Sequence, residues 1–237
     1  VNTADYCEHL RLSICPDLDT VMYTLAGVAN PETGWGRRDE TWTVMDALGQ
    51  LGGETWFRLG DKDLATHLER TRRLRAGESL SSIMRDFAAR LGVKCSIVPM
   101  SDKPVRTMVA TDRGELSFQA WFVRLRCEPA VKSVRFVGVS DAEHAPGVVD
   151  AIVSADAVII APSNPVTSIG PILAVPGIHE ALLKARGKIA AISPIVGNAP
   201  VAGPAGILMQ AQGLPCSIAG VAQAYAESVP LVVIPAG

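Results

Sequence analysis

Ala157-Val158-Ile159-Ile160-Ala161, running into Pro162-Ser163-Asn164-Pro165, decides the fold. A short apolar run that ends in a polar, proline-punctuated loop reads as a buried strand delivering its carboxyl end to that loop. The pattern returns at Ile189-Ala190-Ala191-Ile192, which enters Ser193-Pro194-Ile195-Val196-Gly197-Asn198-Ala199-Pro200, and a third apolar run covers Leu231-Val232-Val233-Ile234. Helical stretches lie between them, one over 179–185 ending at Gly187 and another within 205–227. Strand, loop, helix, strand is the mark of βαβ units. The expected fold is α/β, a doubly wound, mainly parallel, Rossmann-like sheet.

Charge patterning agrees. Only six Asp, Glu, Lys or Arg side chains fall within 151–237, and residues 189–226 carry none. A membrane span is excluded there by Pro194, Pro200, Pro204 and Pro215, which break any spanning helix. The segment reads instead as a buried, loop-rich core. The whole chain has 237 residues, 48% of them hydrophobic and 19% charged, with a net charge of -2. That balance lacks the clustered cations that nucleic-acid binding needs. Five scattered cysteines form neither a disulfide framework nor a zinc site, and they fit a reducing cytoplasm. No signal peptide is expected at the start. The opening residue resembles a strand end and the chain stops after a strand-like run, so truncation at both termini is expected.

The middle reads differently. Residues 63–76 suggest a helix with Leu64, Leu68, Thr71 and Leu74 on its apolar stripe, closed by Gly77. A second helix covers 80–91, with Ser79 and Ser81 as candidate caps and Gly92 as its stop. Strands are expected over 95–98, 105–111 and 115–123, the last two joined by Asp112-Arg113-Gly114 into a hairpin attached to the main sheet. The chain is thus one domain, 1–237, with a helical and hairpin insertion over 40–130.

Three constellations carry chemistry. In Cys15-Pro16-Asp17-Leu18-Asp19-Thr20, two carboxylates at i and i+2 project to one side of an extended segment before a helix over 21–26. Either one Asp caps that helix, or the pair, joined by Asp5, holds a divalent ion or orients a substrate hydroxyl. Magnesium takes one or two carboxylates together with substrate phosphates, so the pair points to a phosphate-bearing ligand. In Trp56-Phe57-Arg58, the arginine either stacks on a flat ring or clamps a phosphate, unless the aromatic pair is core packing alone. The third constellation is the pair of loops after the late strands, Ser163, Asn164, Thr167 and Ser168 on one and Ser193, Gly197 and Asn198 on the other. Ligands of open α/β sheets bind outside the carboxyl ends of strands, so two matching loops suggest a nucleotide site. With few cations nearby, its contacts come from backbone N–H groups, amides and hydroxyls.

Taken together, these motifs resemble one family. VNTAD at 1–5, CPDLDTVMYTLAG at 15–27, GWG at 34–36, DETW at 39–42 and WFRLGDKDLATH at 56–67 are followed in order by PMSDKPVRT at 99–107, FQAWFV at 118–123, APSNPVTSIGPIL at 161–173 and SPIVGNAPVAGPAG at 193–206. The set is similar to the 2-phospho-L-lactate transferases of the CofD/FbiA type, from coenzyme F420 biosynthesis. The resemblance implies a magnesium-dependent reaction between two small molecules. The terminal ribityl hydroxyl of the deazaflavin Fo attacks the phosphorus bearing lactate, or a related acid, in a guanosine diphosphate ester and expels GMP. It implies that Asp19 and Arg58 contact Fo, that Asp19 and Asp17 are catalytic, and that Asp5 and Asp17 lie near the metal. Ser163, Asn164, Thr167 and Asn198 would hold the nucleotide. The chain departs from the family pattern at Tyr6, where a second Asp is frequent, at Lys62, where Arg is usual, and at Lys103, which replaces a frequent Asp. The rival class is the CofD-like proteins that bind nucleotide sugars and regulate metabolism without catalysis. Neither nucleic acid nor a membrane is an expected partner, and a homodimer is left open.

Overall fold

The computed structural model describes residues 1–185, 189–226 and 232–235. The expectations at Gly187, Glu227, Leu231, Ala236 and Gly237 lie outside them.

An extended opening segment leads into a hairpin of β1 (Cys7–His9) and β2 (Leu12–Ile14), in register with His9 opposite Leu12. Its two-residue turn puts Leu10 and Arg11 at φ 52° and 60°. Two left-handed residues make the turn that hairpins usually build from Asn-Gly. With Cβ-bearing residues it costs about 1–2 kcal/mol each.

Four helices follow: α1 (Pro16–Leu25), α2 (Thr43–Gln50), α3 (Asp61–Arg75) and α4 (Leu80–Arg90). α1 begins five residues before the expected start, because Pro16 is preorganised for the first helical turn. Asp17 and Asp19 therefore lie on a helix, where two residues are about 200° of rotation apart and face different surroundings. Neither caps α1, whose N-cap is Cys15 without a side-chain bond. At α4 the cap is Ser79, whose Oγ accepts from Ser82 N at 3.3 Å, and Gly92 follows the helix at φ 76°. The apolar stripe of α3 holds in part: Thr71 is buried, and Leu64 and Leu74 are half-buried against neighbouring hydrophobic clusters. Leu68 is 53% exposed, while Asp63, His67, Arg70 and Thr71 are buried.

The hairpin also differs from expectation. Residues 95–98 form no strand, and β3 (Arg106–Thr111), β4 (Gly114–Ser117) and β5 (Val131–Val137) make their own antiparallel sheet, ordered β4-β3-β5. The strand expected over 115–123 stops at Ser117. A π-helical turn over Ala120–Arg124 then buries Trp121 completely, and its indole Nε1 donates to Pro129 O at 3.0 Å. Strict alternation would have sent that indole to the opposite face from Phe118. Coiling brings both into one core.

The last part follows the βαβ reading: α5 (Val148–Ser154), β6 (Val158–Ile160), a π-helical turn over Pro165–Ile169, α6 (Gly170–Ala174), α7 (Ile178–Lys184) and β7 (Ile189–Ile192). A short hairpin of β8 (Ile195–Val196) and β9 (Ala199–Pro200) precedes α8 (Ala205–Ala211), α9 (Ile218–Ala226) and β10 (Val232–Ile234). The sheet β10-β7-β6 is parallel, with Val158 opposite Ile189 and Val232 opposite Ala190. This is the mixed α/β architecture with a parallel sheet that the sequence implied. One hydrophobic cluster joins the two sheets, with Val109 and Trp121 from the antiparallel side and Ile160, Ile189 and Ala191 from the parallel side. A second packs Leu18, Met22 and Tyr23 of α1 against Leu80 and Met84 of α4. No single helix among the described residues is long and apolar enough to cross a membrane.

Candidate functional site

α3 is held at its start by two reciprocal caps. Asp61 accepts from Thr43 N and Val44 N at 3.1 Å each, closing α2, and Glu40 accepts from Lys62 N at 2.8 Å and Asp63 N at 2.9 Å, closing α3. A Cβ at Gly60 would push the Glu40 carboxylate out of this cap. Lys62, where the family usually has Arg, donates to Asp39 O at 2.6 Å and Arg38 O at 3.2 Å, so an ammonium suffices for this structural task. So anchored, α3 turns Asp63, His67 and Arg70, at i, i+4 and i+7, towards α1.

Between α1, the turn after β6 and residues 201–205 lies a cavity of about 670 Å³. It gathers Asp5, Asp17, Asp19, Asp63 and His67 with Arg58, and Ser163, Asn164, Thr167 and Ser168 from the loop after β6. Trp35, Phe57, Phe118 and Phe122 supply aromatic walls. Asn198 is not among the lining residues; it sits exposed on the β8–β9 turn. Ser193 is fully buried and spends its hydroxyl on Ile195, donating to O and accepting from N at 3.0 Å each. Asn164 Oδ1 accepts from Val166 N at 3.0 Å and Thr167 N at 3.4 Å, so that oxygen shapes the turn.

The carboxylates form two groups. Asp5 and Asp17 are the first. Asn2 Nδ2 donates to Asp17 Oδ2 at 2.9 Å and to Thr167 O at 3.3 Å, tying the opening segment to α1 and to the nucleotide-side loop. Asp5 is 5% exposed, and its Oδ1 has no hydrogen-bond partner. Burial, and then the charge of Asp17, push its pKa well above the ordinary carboxylate range; burial raises Asp17 as well. Asp5 buried and Asp17 half-buried, with an orphaned oxygen and no basic side chain paired to either among the described residues, are acids chemically suited to a hard divalent cation.

The second group already contains its cation. Arg70 is fully buried and clamps Asp19 bidentately, Nη1 to Oδ2 at 3.0 Å and Nη2 to Oδ1. His67 Nδ1 lies 3.4 Å from Arg70 Nη1 and 3.7 Å from Asp19 Oδ2. Because guanidinium only donates, Nδ1 would accept from Arg70, while Nε2 lies 3.3 Å from Asp63 Oδ2 without hydrogen-bond geometry. Tyr23 OH donates to Asp63 Oδ1 at 2.7 Å. Burial raises the Asp19 carboxyl, opposed by Arg70 and His67. At Asp63 burial works upward too, but His67 and Tyr23 outweigh it and the pKa is lowered. Asp19, Asp63 and His67 lie within 4.8 Å of one another, as metal ligands would. Arg70 already supplies positive charge to that cluster, whereas Asp5 and Asp17 have no basic side chain paired to them among the described residues.

Arg58 belongs to neither group. It is exposed on the rim, over the Trp42 ring at 4.8 Å and 3.4 Å from Asp46 Oδ1. The structure thus brings Asp5, Asp17, Asp19, Arg58, Ser163, Asn164 and Thr167 to one cavity and leaves Asn198 outside it. The residues missed from sequence are Asp63, His67 and Arg70. Their signal was the 63, 67, 70 spacing, hidden by interleaved leucines.

The family described as 2-phospho-L-lactate transferase CofD matches residues 1–234 of this chain. The chain belongs to the CofD family. Among its relatives, a phosphoenolpyruvate transferase of Streptomyces griseus is 46% identical over 233 residues, covering 96% of this chain and 73% of that protein. A 2-phospho-L-lactate transferase of Methanosarcina acetivorans is 45% identical over 227 residues, with the same two coverages of 96% and 73%. This CofD-family chain is accordingly a transferase. A solved UPF0052 family member from Bacillus halodurans shares its fold, with TM-score 0.57 and 18% identity over 99% of this chain and 78% of that one.

Proposed function

We propose that the chain transfers a phospho-organic acid from its guanosine diphosphate ester to the terminal ribityl hydroxyl of the deazaflavin Fo, releasing GMP, in coenzyme F420 biosynthesis. The observation that carries this reading is the shared cavity, where the unneutralised Asp5–Asp17 pair, the clamped Asp19 and the loop after β6 converge. Its volume lies within the range of small-molecule sites. The aromatic walls and rim Arg58 suit a flat deazaflavin. Ser163, Thr167 and Ser168 suit the nucleotide side, through hydroxyls and the amides of the turn.

The reaction makes a bond from the ribityl oxygen to the phosphorus bearing the acid and breaks the bond from that phosphorus to the GMP oxygen. Asp19, fixed in place by Arg70, accepts the hydroxyl's hydrogen bond and, with proton affinity raised by burial, takes its proton as the new bond forms. His67 packs between Asp63 and Arg70 and helps keep the acceptor oxygens aimed. Asp5 and Asp17 would hold magnesium, which supplies charge neutralisation on the diphosphate. The named relatives include both phosphoenolpyruvate and 2-phospho-L-lactate transferases at nearly equal identity, so lactate and enolpyruvate are both candidate acids. All five cysteines are free thiols, which supports a reducing, cytoplasmic setting.

Calorimetric titration separates this reading from a nucleotide-sugar-binding role. Fo and GMP should each bind and occupy the protein together, with Asp19→Asn weakening Fo and leaving GMP. Tight binding of a UDP-sugar with no binding of Fo would overturn the assignment.

A further inference from the structure

A second depression, of about 350 Å³, shares no lining residue with the transfer cavity, although a smaller pocket beside Arg106 borders both. Thr3 and Tyr6 of the opening segment face it, whereas Asp5 between them faces the cavity. Three guanidinium groups line this cleft, from Arg11, Arg75 and Arg106, and none forms an ion pair among the described residues. Arg106 is the informative one. It is half-buried, lies 4.2 Å over the Tyr6 ring, and among the described residues donates only to the carbonyl of Val105, at 2.8 Å. Burial pulls its pKa down from the usual guanidinium value. A charge removed from water normally has a carboxylate partner or a ligand.

The rim is built with similar care. Arg11 sits at the left-handed turn between β1 and β2, a backbone state that an arginine rarely takes, and Arg75 Nη2 donates to Arg11 O at 2.8 Å to pin it there. The other charged groups lining the cleft are largely spoken for. Asp102 accepts from Ser81 N and Oγ at 2.7 and 2.8 Å, and Lys103 donates to Glu143 at 3.1 Å. Glu8 and Asp102, whose donors are neutral, are then two carboxylates set against three guanidinium groups, and the cleft keeps a net positive charge. Planar guanidinium forks match phosphate oxygens, and a phosphate monoester brings nearly two negative charges at neutral pH.

We propose that this cleft is a second ligand site, separate from the transfer cavity, for a small molecule carrying a phosphate group, with Arg106 as its floor and Arg11 and Arg75 as its rim. The proposal stands independently of the transfer reaction. The probe is inorganic phosphate, titrated into the whole chain at low ionic strength and followed by backbone amide NMR shifts. Saturable shifts are expected at Thr3, Tyr6, Ser101 and Arg106. Loss of one charge-assisted pair weakens binding by roughly tenfold or more, so Arg106→Met should do so. Met retains an apolar stem on Tyr6, and Arg75→Gln gives a second reading at an exposed position on the rim. Thr167→Val, in the transfer cavity, should leave the titration unchanged. Shifts confined to 163–168, wild-type affinity in both arginine variants, or no saturation at all would each overturn the proposal.

Discussion

Arg70→Met removes the cation from a carboxylate that the fold has already taken out of water. Arg70 is fully buried and Asp19 is 4% exposed, so solvent cannot replace the lost partner. Asp19 is left close to Asp63 and His67, with no guanidinium or ammonium side chain beside it among the described residues. Orphaning a buried charge in this way costs about 3–5 kcal/mol. Against the roughly 5–15 kcal/mol that a domain possesses, this is a large share. The same variant should become more tolerable in acid. Burial already raises the Asp19 carboxyl, and without its cation it rises further. The folded state then holds a proton that the unfolded chain releases, so the deficit narrows as pH falls through that pKa and widens above it. Adding Asp19→Asn removes the orphaned charge, leaving chiefly lost hydrogen bonds, each worth about 1 kcal/mol. Urea unfolding of the wild type, Arg70→Met and the double variant at pH 5 and pH 8 reads all of this. The reasoning is refuted if Arg70→Met stays within about 1 kcal/mol of wild type, a cost typical of surface pairs. It is equally refuted if the double variant is no more stable than the single one.

Other outcomes follow from the same geometry. Asp5 is raised by burial and by Asp17, so its contribution to the metal-free protein is favourable below the unfolded pKa and is lost as pH rises through the folded one. Asp5→Asn should therefore melt higher than wild type at pH 8 in chelator, with the difference closing by pH 4. Magnesium should raise the melting temperature of the wild type and of neither Asp5→Asn nor Asp17→Asn; an equal shift in all three would remove the metal from that pair. Arg58→Gln should raise KM for the deazaflavin while shifting stability by less than about 1 kcal/mol, because its ion pair with Asp46 is exposed. Leu10→Asn should stabilise the chain by about 1 kcal/mol in urea unfolding, by relieving a left-handed leucine in the turn between β1 and β2.

The parallel sheet was legible because its strands are buried on both faces, which leaves continuous apolar runs that turn chemistry cuts cleanly. Ser163 and Thr167 could be placed on a ligand loop for the same reason. The Asp17–Asp19 pair was found, but its geometry was misread. Spacing alone does not say whether two positions lie on a strand or a helix, and Pro16 tips the balance to the helix. α3 was legible only in part. Leu64, Thr71 and Leu74 turn inward as its pattern suggested, but Leu68 is exposed and Asp63, His67 and Arg70 are buried instead, which is tolerable only because these groups meet one another and α1. Such a meeting is a tertiary fact that no local window contains. Trp121 is similar, since the carbonyl of Pro129 that satisfies its indole exists only once the chain has coiled.

The most direct test of the central claim is turnover. The full chain is mixed with Fo, magnesium and, in separate reactions, the guanosine diphosphate esters of lactate, enolpyruvate and glycerate, and GMP and the deazaflavin phosphodiester are quantified. With at least one donor the two products should appear in equal amounts, and Asp19→Asn should abolish both. Absence of GMP with all three donors, or GMP released without a deazaflavin product, would contradict the account.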